Sequence, residues 1–147
     1  MARKTVEALG GVGLYITPLT DQRNGTAGFR LQWKKDEPQA VRGTIVSSRY
    51  GDHEIRFFIV NEMDSIQKAH RSGTFYELEE LEIISRHFNG GVFVDIGANI
   101  GNHSIFVLSV LGARKVIAFE PLPDALVMLE ANISLNNLGE KVTLHRM

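Results

Sequence analysis

Residues 92–104 read VFVDIGANIGNHS, and this stretch decides the fold. Its apolar run, VFVDI, is typical of a parallel strand that is covered on both faces. Gly97 and Gly101 follow, and apolar residues from Ile105 to Leu111 then recur at the spacing of a helix. A strand, a glycine turn and a helix in this order predict a loop whose backbone closes tightly on a small ligand.

The same alternation continues downstream. Two further apolar runs, KVIAFE at 115–120 and KVTLH at 141–145, flank a helical pattern over about residues 124–137. This β-α-β-α-β pattern predicts an α/β fold of Rossmann type, with parallel strands in the order 3-2-1 and right-handed crossovers. Because the pattern stops after the third strand, we expect a truncated sheet. Its first strand would keep an open edge through which the chain could self-associate.

The sequence divides into three zones. Residues 1–40 are polar and dotted with glycines, and they form a poorly defined N-terminal segment. Residues 41–73 contain two strand-like runs around YGD, which predict a β-hairpin extension outside the nucleotide-binding unit. Residues 74–147 form that unit. It begins with a helix over residues 75–88, for which Thr74 and Glu77 predict a capping box.

Composition excludes several classes of partner and site. The 147 residues carry 16 Lys and Arg against 17 Asp and Glu, so no basic excess indicates a nucleic-acid partner. Without cysteine there is no disulfide and no thiolate zinc site, and His103 alone does not predict a metal. No run approaches the roughly 20 apolar residues of a membrane span. We expect a cytoplasmic protein.

The loop does not match the dinucleotide fingerprint. That fingerprint needs G-x-G-x-x-G, and Asn99 and Asn102 stand where its second and third glycines would be. Acidic residues, however, end both of the first two strands: Asp95 and Glu120. A carboxylate at the position of Glu120 suits the hydroxyls of a ribose. A ligand with a ribose and without a pyrophosphate therefore fits best.

Two segments resemble a known family. VDIGANIGNHS at 94–104 and IAFEPLPDA at 117–125 are similar to the first and second cofactor motifs of the FkbM family of S-adenosylmethionine-dependent methyltransferases. The resemblance implies a class I methyltransferase fold, of which residues 74–147 would be the amino-terminal half. It also implies S-adenosylmethionine as cofactor and O-methyl transfer to a small molecule or glycan, namely a sugar, a glycan precursor or a secondary metabolite.

The resemblance also implies roles for individual residues. Asp95 would face the amino end of the methionine moiety, and the glycines would let the backbone pass beside that moiety. Glu120 would hold the ribose without being part of the core, and Pro121 with Leu122 would shape the adenine edge. Asn99, Asn102 and His103 would line the loop, in roles that rank below these. The predicted cofactor-binding set is Asp95, Gly97, Ala98, Asn99, Gly101, Asn102, Glu120 and Pro121.

No catalytic base can be assigned, because the acceptor side of such a pocket is built from loops after later strands. Two alternatives stay open: a nicotinamide or other nucleotide binder, and a non-catalytic scaffold. Glycine spacing argues against the first, and Asp95 with Glu120 argues against the second. Asn132 and Asn136, one turn apart on the last predicted helix, are expected at the surface or as capping residues.

Overall fold

The structure is a computed structural model that describes residues 4–6, 14–20, 27–33 and 41–146. Within the first zone it contains strands β1 (Lys4–Val6), β2 (Leu14–Thr20) and β3 (Ala27–Trp33), which pair antiparallel in one sheet. The rest of the predicted N-terminal segment 1–40 lies outside the described residues. The domain boundaries proposed from the sequence stay predictions.

The second zone forms the predicted hairpin. Strands β4 (Thr44–Tyr50) and β5 (His53–Ile59) pair antiparallel in a two-stranded sheet of their own. Gly51 occupies the turn with a φ of 55°, a left-handed conformation that glycine adopts without steric cost. Ile55, Phe57 and Ile59 of β5 are buried, as the sequence period predicts, but Phe58 on the other face is buried as well.

Two helices follow the hairpin, and both differ from the sequence prediction. Helix α1 (Ser65–Arg71) was not predicted, and Asp64 caps it by accepting the Gln67 backbone N–H at 3.0 Å. Helix α2 runs over Leu78–His87. The predicted capping box is wrong, because Glu77 has a left-handed φ of 52° and makes no side-chain hydrogen bond to the helix end. Phe75, which precedes the helix, is buried in the core.

The third zone forms a parallel sheet in the predicted order. Strands β6 (Val92–Ile96), β7 (Lys115–Glu120) and β8 (Val142–Arg146) lie side by side, with β7 in the centre. Helix α3 (Asn102–Ser109) and helix α4 (Pro123–Leu135) form the crossovers, and a short 3-10 turn over Gly139–Lys141 precedes β8. In the described residues β6 is an edge strand.

The hairpin and the parallel sheet share one core. Apolar side chains of β5 pack in the same buried cluster as residues of α3, α4 and β7. Members of this cluster include Ile55, Phe57, Phe106, Val116, Ala118 and Leu129. The hairpin therefore lies outside the parallel sheet, as expected. It nevertheless packs against the same core as the buried face of that sheet.

The other face of the sheet carries no such cover in the described residues. Val92, Val94 and Ile96 point to that face, and Val94 and Ile96 are 52% and 79% exposed. Helices α3 and α4 both contribute to the core on the opposite face. The expectation that β6 is covered on both faces is therefore wrong for the part of the chain that the structure describes. No helix in that part is long and apolar enough to cross a membrane.

Candidate functional site

The carboxyl ends of β6 and β7 meet at one edge of the sheet, because the two strands are parallel and adjacent. Asp95 comes one residue before the end of β6, and Glu120 is the last residue of β7. The loop over residues 97–101 lies between them. Its first two backbone N–H groups, of Gly97 and Ala98, both donate to the Phe119 carbonyl, at 2.8 and 3.0 Å. The sheet edge therefore fixes where the loop begins.

The Glu120 carboxylate holds the loop from its other side. Its side chain is only 3% exposed. Oε2 accepts the Asn99 backbone N–H at 2.8 Å, and Oε1 accepts the Leu122 backbone N–H at 2.8 Å. A carboxylate has about four lone-pair sites, so about two remain for hydroxyl donors. Glu120 is buried and part of the scaffold, which corrects the expectation that a strand-end carboxylate stays outside the core.

The Asp95 carboxylate lies at the start of α3. Its Oδ2 accepts a hydrogen bond from the Ser104 hydroxyl at 2.6 Å, and both side chains are buried. No side chain caps the first turn of α3, whose N-cap residue is Gly101. The first N–H groups of a helix lack intrahelical partners and carry partial positive charge. The partial positive charge at the start of α3 therefore favours a negative charge on Asp95.

Different structural constraints act on the two loop glycines. Both have a left-handed backbone, with φ of 80° at Gly97 and 95° at Gly101. A Cβ on Gly101 would lie 2.8 Å from Cδ1 of Leu129, so α4 packs directly on this residue. A Cβ on Gly97 would meet nothing within 4 Å. A side chain at Gly101 would thus force Leu129 to shift, whereas the backbone at Gly97 faces open space.

Other predicted residues differ in what they contact. The buried Asn102 side chain binds the Tyr76 backbone twice, since Oδ1 accepts its N–H at 3.2 Å and Nδ2 donates to its carbonyl at 2.9 Å. His103 lies beside it, with Nε2 3.7 Å from a Glu77 carboxylate oxygen. Asn102 thereby joins α3 to the segment before α2. Its place in the cofactor-binding set stays a prediction.

Pro121 and Leu122 are exposed and follow directly after Glu120. Beyond them, Arg146 ends β8 opposite Glu120 in the strand register and forms an ion pair with Glu130 of α4. Burial raises the pKa of Glu130, while Arg146 opposes that shift. Among the described residues no group of three or more His, Asp or Glu side chains is placed to hold a metal ion.

Sequence reasoning missed Asn132. This side chain is fully buried, where its Oδ1 accepts the Phe58 backbone N–H at 2.5 Å and its Nδ2 donates to the Ile100 carbonyl at 2.8 Å. It is therefore neither a surface nor a capping residue, whereas Asn136 is the C-cap of α4. One signal was available: Asn132 follows Met128 and Leu129 at helical spacing, which places a polar side chain on the apolar face.

One curated protein resembles the chain in sequence. A tRNA wybutosine-synthesizing protein 2 homolog from Danio rerio is 31% identical over 119 residues. The match covers 78% of this chain and 29% of that protein, so the chain spans less than a third of its relative. No family model matches the chain. The specific resemblance to the FkbM family therefore finds no support in these comparisons.

A solved structure confirms the fold class. The Pyrococcus abyssi tRNA (uracil-54, C5)-methyltransferase, solved with S-adenosyl-L-homocysteine, matches with a TM-score of 0.51 and 13% identity, over 92% of this chain and 39% of that one. The tRNA m1G37 methyltransferase of M. jannaschii gives a TM-score of 0.49 and 21% identity, over 80% of this chain and 34% of that one. The chain has a Rossmann-like methyltransferase fold with a parallel sheet of three strands.

These comparisons correct one expectation. The sequence predicted a small-molecule or glycan acceptor and no nucleic acid, but the Danio rerio relative and the P. abyssi enzyme are both named for tRNA. The expectation that nucleic acid is not involved is therefore wrong. It rested on a net charge of −1, and the charge of a chain that spans 29% of its relative reports on that part alone.

Proposed function

We propose that this chain carries the S-adenosylmethionine site of a transferase that modifies tRNA, with methyl transfer as the reaction. The observation that carries the proposal is the edge of the sheet at which Asp95 and Glu120 flank a loop with an open face at Gly97. The zebrafish relative and the fold of the P. abyssi enzyme support it.

The residues of this edge fit the chemistry of the cofactor. Glu120 keeps lone pairs for ribose hydroxyls after accepting its two backbone donors. Asp95 supplies a negative charge for the ammonium group of the methionine moiety, and the uncapped start of α3 supplies N–H groups for its carboxylate. Gly97 leaves room for both, because no side chain occupies the space beside it.

The same geometry disfavours a dinucleotide. A pyrophosphate brings negative charge to the start of α3 without the ammonium group by which the methionine moiety would offset the Asp95 carboxylate. Like charges in a partly buried site repel each other. A nicotinamide dinucleotide therefore suits this site less well than S-adenosylmethionine does, in agreement with the glycine spacing.

The cofactor, when bound, supplies a carbon activated by a sulfonium, which a nucleophile of the acceptor attacks in line while the carbon–sulfur bond breaks. In such a displacement the protein gains most by holding both reactants in attack geometry. The residues described here serve that purpose: they fix the loop and orient the amino-acid and ribose ends. We infer tRNA as the acceptor, because the relative is named for wybutosine synthesis on tRNA.

Calorimetric titration tests the cofactor. We expect S-adenosylhomocysteine to bind and NAD to bind at least tenfold more weakly, the difference that about 1.4 kcal/mol produces. Asp95→Asn should weaken S-adenosylhomocysteine and leave adenosine unchanged, because only the former carries the ammonium group. His53→Gln, on the exposed hairpin turn, is the control variant. Tighter binding of NAD than of S-adenosylhomocysteine would contradict the proposal.

A labelling assay tests the acceptor. Cofactor labelled in the methyl group is incubated with the protein and either bulk tRNA or sugar acceptors with free hydroxyls. We expect label in tRNA only. A parallel incubation uses cofactor labelled in the methionine carboxylate, because the zebrafish relative is named for wybutosine synthesis and not for methyl transfer. Transfer of the carboxylate label to tRNA would leave tRNA as the acceptor and show that a group other than methyl is transferred. Label found in sugars alone would contradict tRNA as the acceptor.

A further inference from the structure

Asn132 connects three elements through one buried side chain. It lies on α4, accepts from Phe58 on β5 and donates to the carbonyl of Ile100 in the glycine loop. Phe58 and Ile100 are themselves buried, and they pack together with Met128 and Ala131 in a second apolar cluster. The amide therefore spans the space between the hairpin and the loop without contact with solvent.

The bonds made by the rest of the loop show what Asn132 adds. Gly97, Ala98 and Asn99 donate to the end of β7, through the Phe119 carbonyl and the Glu120 carboxylate. Gly101 donates to the Ala98 carbonyl within the loop. The Ile100 carbonyl accepts a hydrogen bond from Asn132. Of the loop bonds named here, it is the one that joins the loop to α4.

We propose that Asn132 is a positioning residue that sets the conformation of the cofactor loop and couples it to the hairpin; this inference rests on the proposed function. Asn99 sits at a φ of 50° and Gly101 packs against Leu129, so the loop has little freedom once the Ile100 carbonyl is fixed. A loop that is already in its binding conformation loses less entropy when a ligand binds. Asn132 therefore contributes to affinity without touching the ligand.

Asn136 provides a matched control one turn along the same helix. Its Oδ1 accepts the Arg56 backbone N–H at 3.1 Å, and its Nδ2 donates to the Arg56 carbonyl at 2.8 Å. Both asparagines thus bind the backbone of β5 to α4. Only Asn132 also bonds to the loop. Comparing variants of the two asparagines therefore distinguishes the effect of attaching the hairpin to α4 from the effect of fixing the loop conformation.

The experiment compares Asn132→Asp with Asn136→Asp in the full chain. Each aspartate keeps an oxygen for the β5 N–H, and Asn132→Asp loses the donor to Ile100. We expect S-adenosylhomocysteine to bind about tenfold more weakly to Asn132→Asp and less than twofold more weakly to Asn136→Asp. Titrations are run at a temperature where thermal unfolding shows both variants folded. Equal losses of affinity for the two variants would overturn the proposal.

Wild-type measurements keep the proposal testable if Asn132→Asp does not fold. On addition of S-adenosylhomocysteine, the backbone amide resonance of Phe58 should shift through the Ile100–Asn132 link, and that of Arg56 should not. A Phe58 resonance that stays unchanged while loop resonances shift would overturn the coupling. If no ligand binds, the proposed function fails, and the inference is then tested by hydrogen exchange: loop amides should exchange faster in Asn132→Ser than in Asn136→Ser, and equal rates would contradict it.

Discussion

Glu120 and Asn99 are joined across the edge of the sheet: Glu120 Oε2 accepts the Asn99 backbone N–H at 2.8 Å. Asn99 has a φ of 50° at this point, a left-handed conformation that asparagine tolerates better than most residues. The bond thus stabilises the loop conformation as well as positioning the carboxylate. Glu120 therefore has a structural role, and a role in ligand binding would come in addition to it.

Glu120→Ala should lower both stability and affinity. It leaves the N–H groups of Asn99, which is half-buried, and of the exposed Leu122 without the buried carboxylate that accepts from them. Because an unsatisfied donor costs about 1 to 3 kcal/mol when buried and less where water reaches it, we expect the free energy of unfolding to fall by about 1 to 3 kcal/mol. Glu120→Gln keeps one oxygen acceptor and should lose about half as much. Urea unfolding measures both, and a stability equal to wild type for Glu120→Ala would refute the structural role.

Alanine at the two loop glycines should have different effects. Gly97→Ala places a Cβ in open space and adds only left-handed backbone strain, about 1 to 2 kcal/mol. Gly101→Ala adds to similar strain a contact of 2.8 Å with Leu129 Cδ1, and overpacking costs about 1 to 3 kcal/mol more. Thermal unfolding should therefore rank Gly101→Ala as the less stable variant.

Ligand affinity should rank the same two variants in the opposite order. The Cβ at Gly97 would fill the space that we propose for the cofactor, whereas the one at Gly101 points at α4. Among folded molecules, Gly97→Ala should lose more affinity for S-adenosylhomocysteine. A larger loss for Gly101→Ala would place the ligand on the other side of the loop.

The sequence predicts the parallel unit well because its signals are local. Each strand is an apolar run of five or six residues, and Gly97, Gly101 and Gly112 mark turns within a few residues of the elements they end or begin. The order of the strands then follows from the handedness of the crossovers. Asp95 and Glu120 were found because parallel strands end at the same edge of a sheet.

What the sequence did not predict depends on distant partners. Asn132 binds Phe58, which lies 74 residues away, and Asn102 binds Tyr76, which lies 26 residues away. The second pair holds the segment before α2 and thereby overrides the capping box at Thr74. Helix α1 has only seven residues, too few for a clear apolar stripe. Local pattern can place a polar side chain such as Asn132 on an apolar face, but it does not identify the distant partner.

Acid should destabilise the fold through His70. This side chain is buried, stacks on Phe57 with ring centroids 3.6 Å apart, and has Nδ1 2.9 Å from the Ser48 hydroxyl oxygen. Burial lowers its pKa from 6.5 to about 4. The unfolded chain therefore binds a proton below pH 6.5 while the folded chain does not, so stability present above pH 6.5 is lost as the pH falls towards 4.

The expected loss over this range is about 3 kcal/mol, from about 1.4 kcal/mol for each pH unit. Urea unfolding at pH 7, 6, 5 and 4 measures it. His70→Gln should remove most of this slope, and His53→Gln, at an exposed histidine, should leave it in place. A slope that survives His70→Gln would assign the acid sensitivity to other groups.

The open face of the sheet gives the last prediction. Val94 and Ile96 point away from the core and are 52% and 79% exposed, whereas Val116, on the other face of the adjacent strand, is fully buried. Threonine at Val94 and Ile96 should therefore change the free energy of unfolding by no more than about 0.5 kcal/mol. The same variant should bind less of a dye that fluoresces on apolar surface, because it removes exposed apolar groups. Val116→Thr should instead cost about 1 to 3 kcal/mol, since it buries a hydroxyl among apolar neighbours. Equal destabilisation by Ile96→Thr and Val116→Thr would show that β6 is covered on both faces in solution.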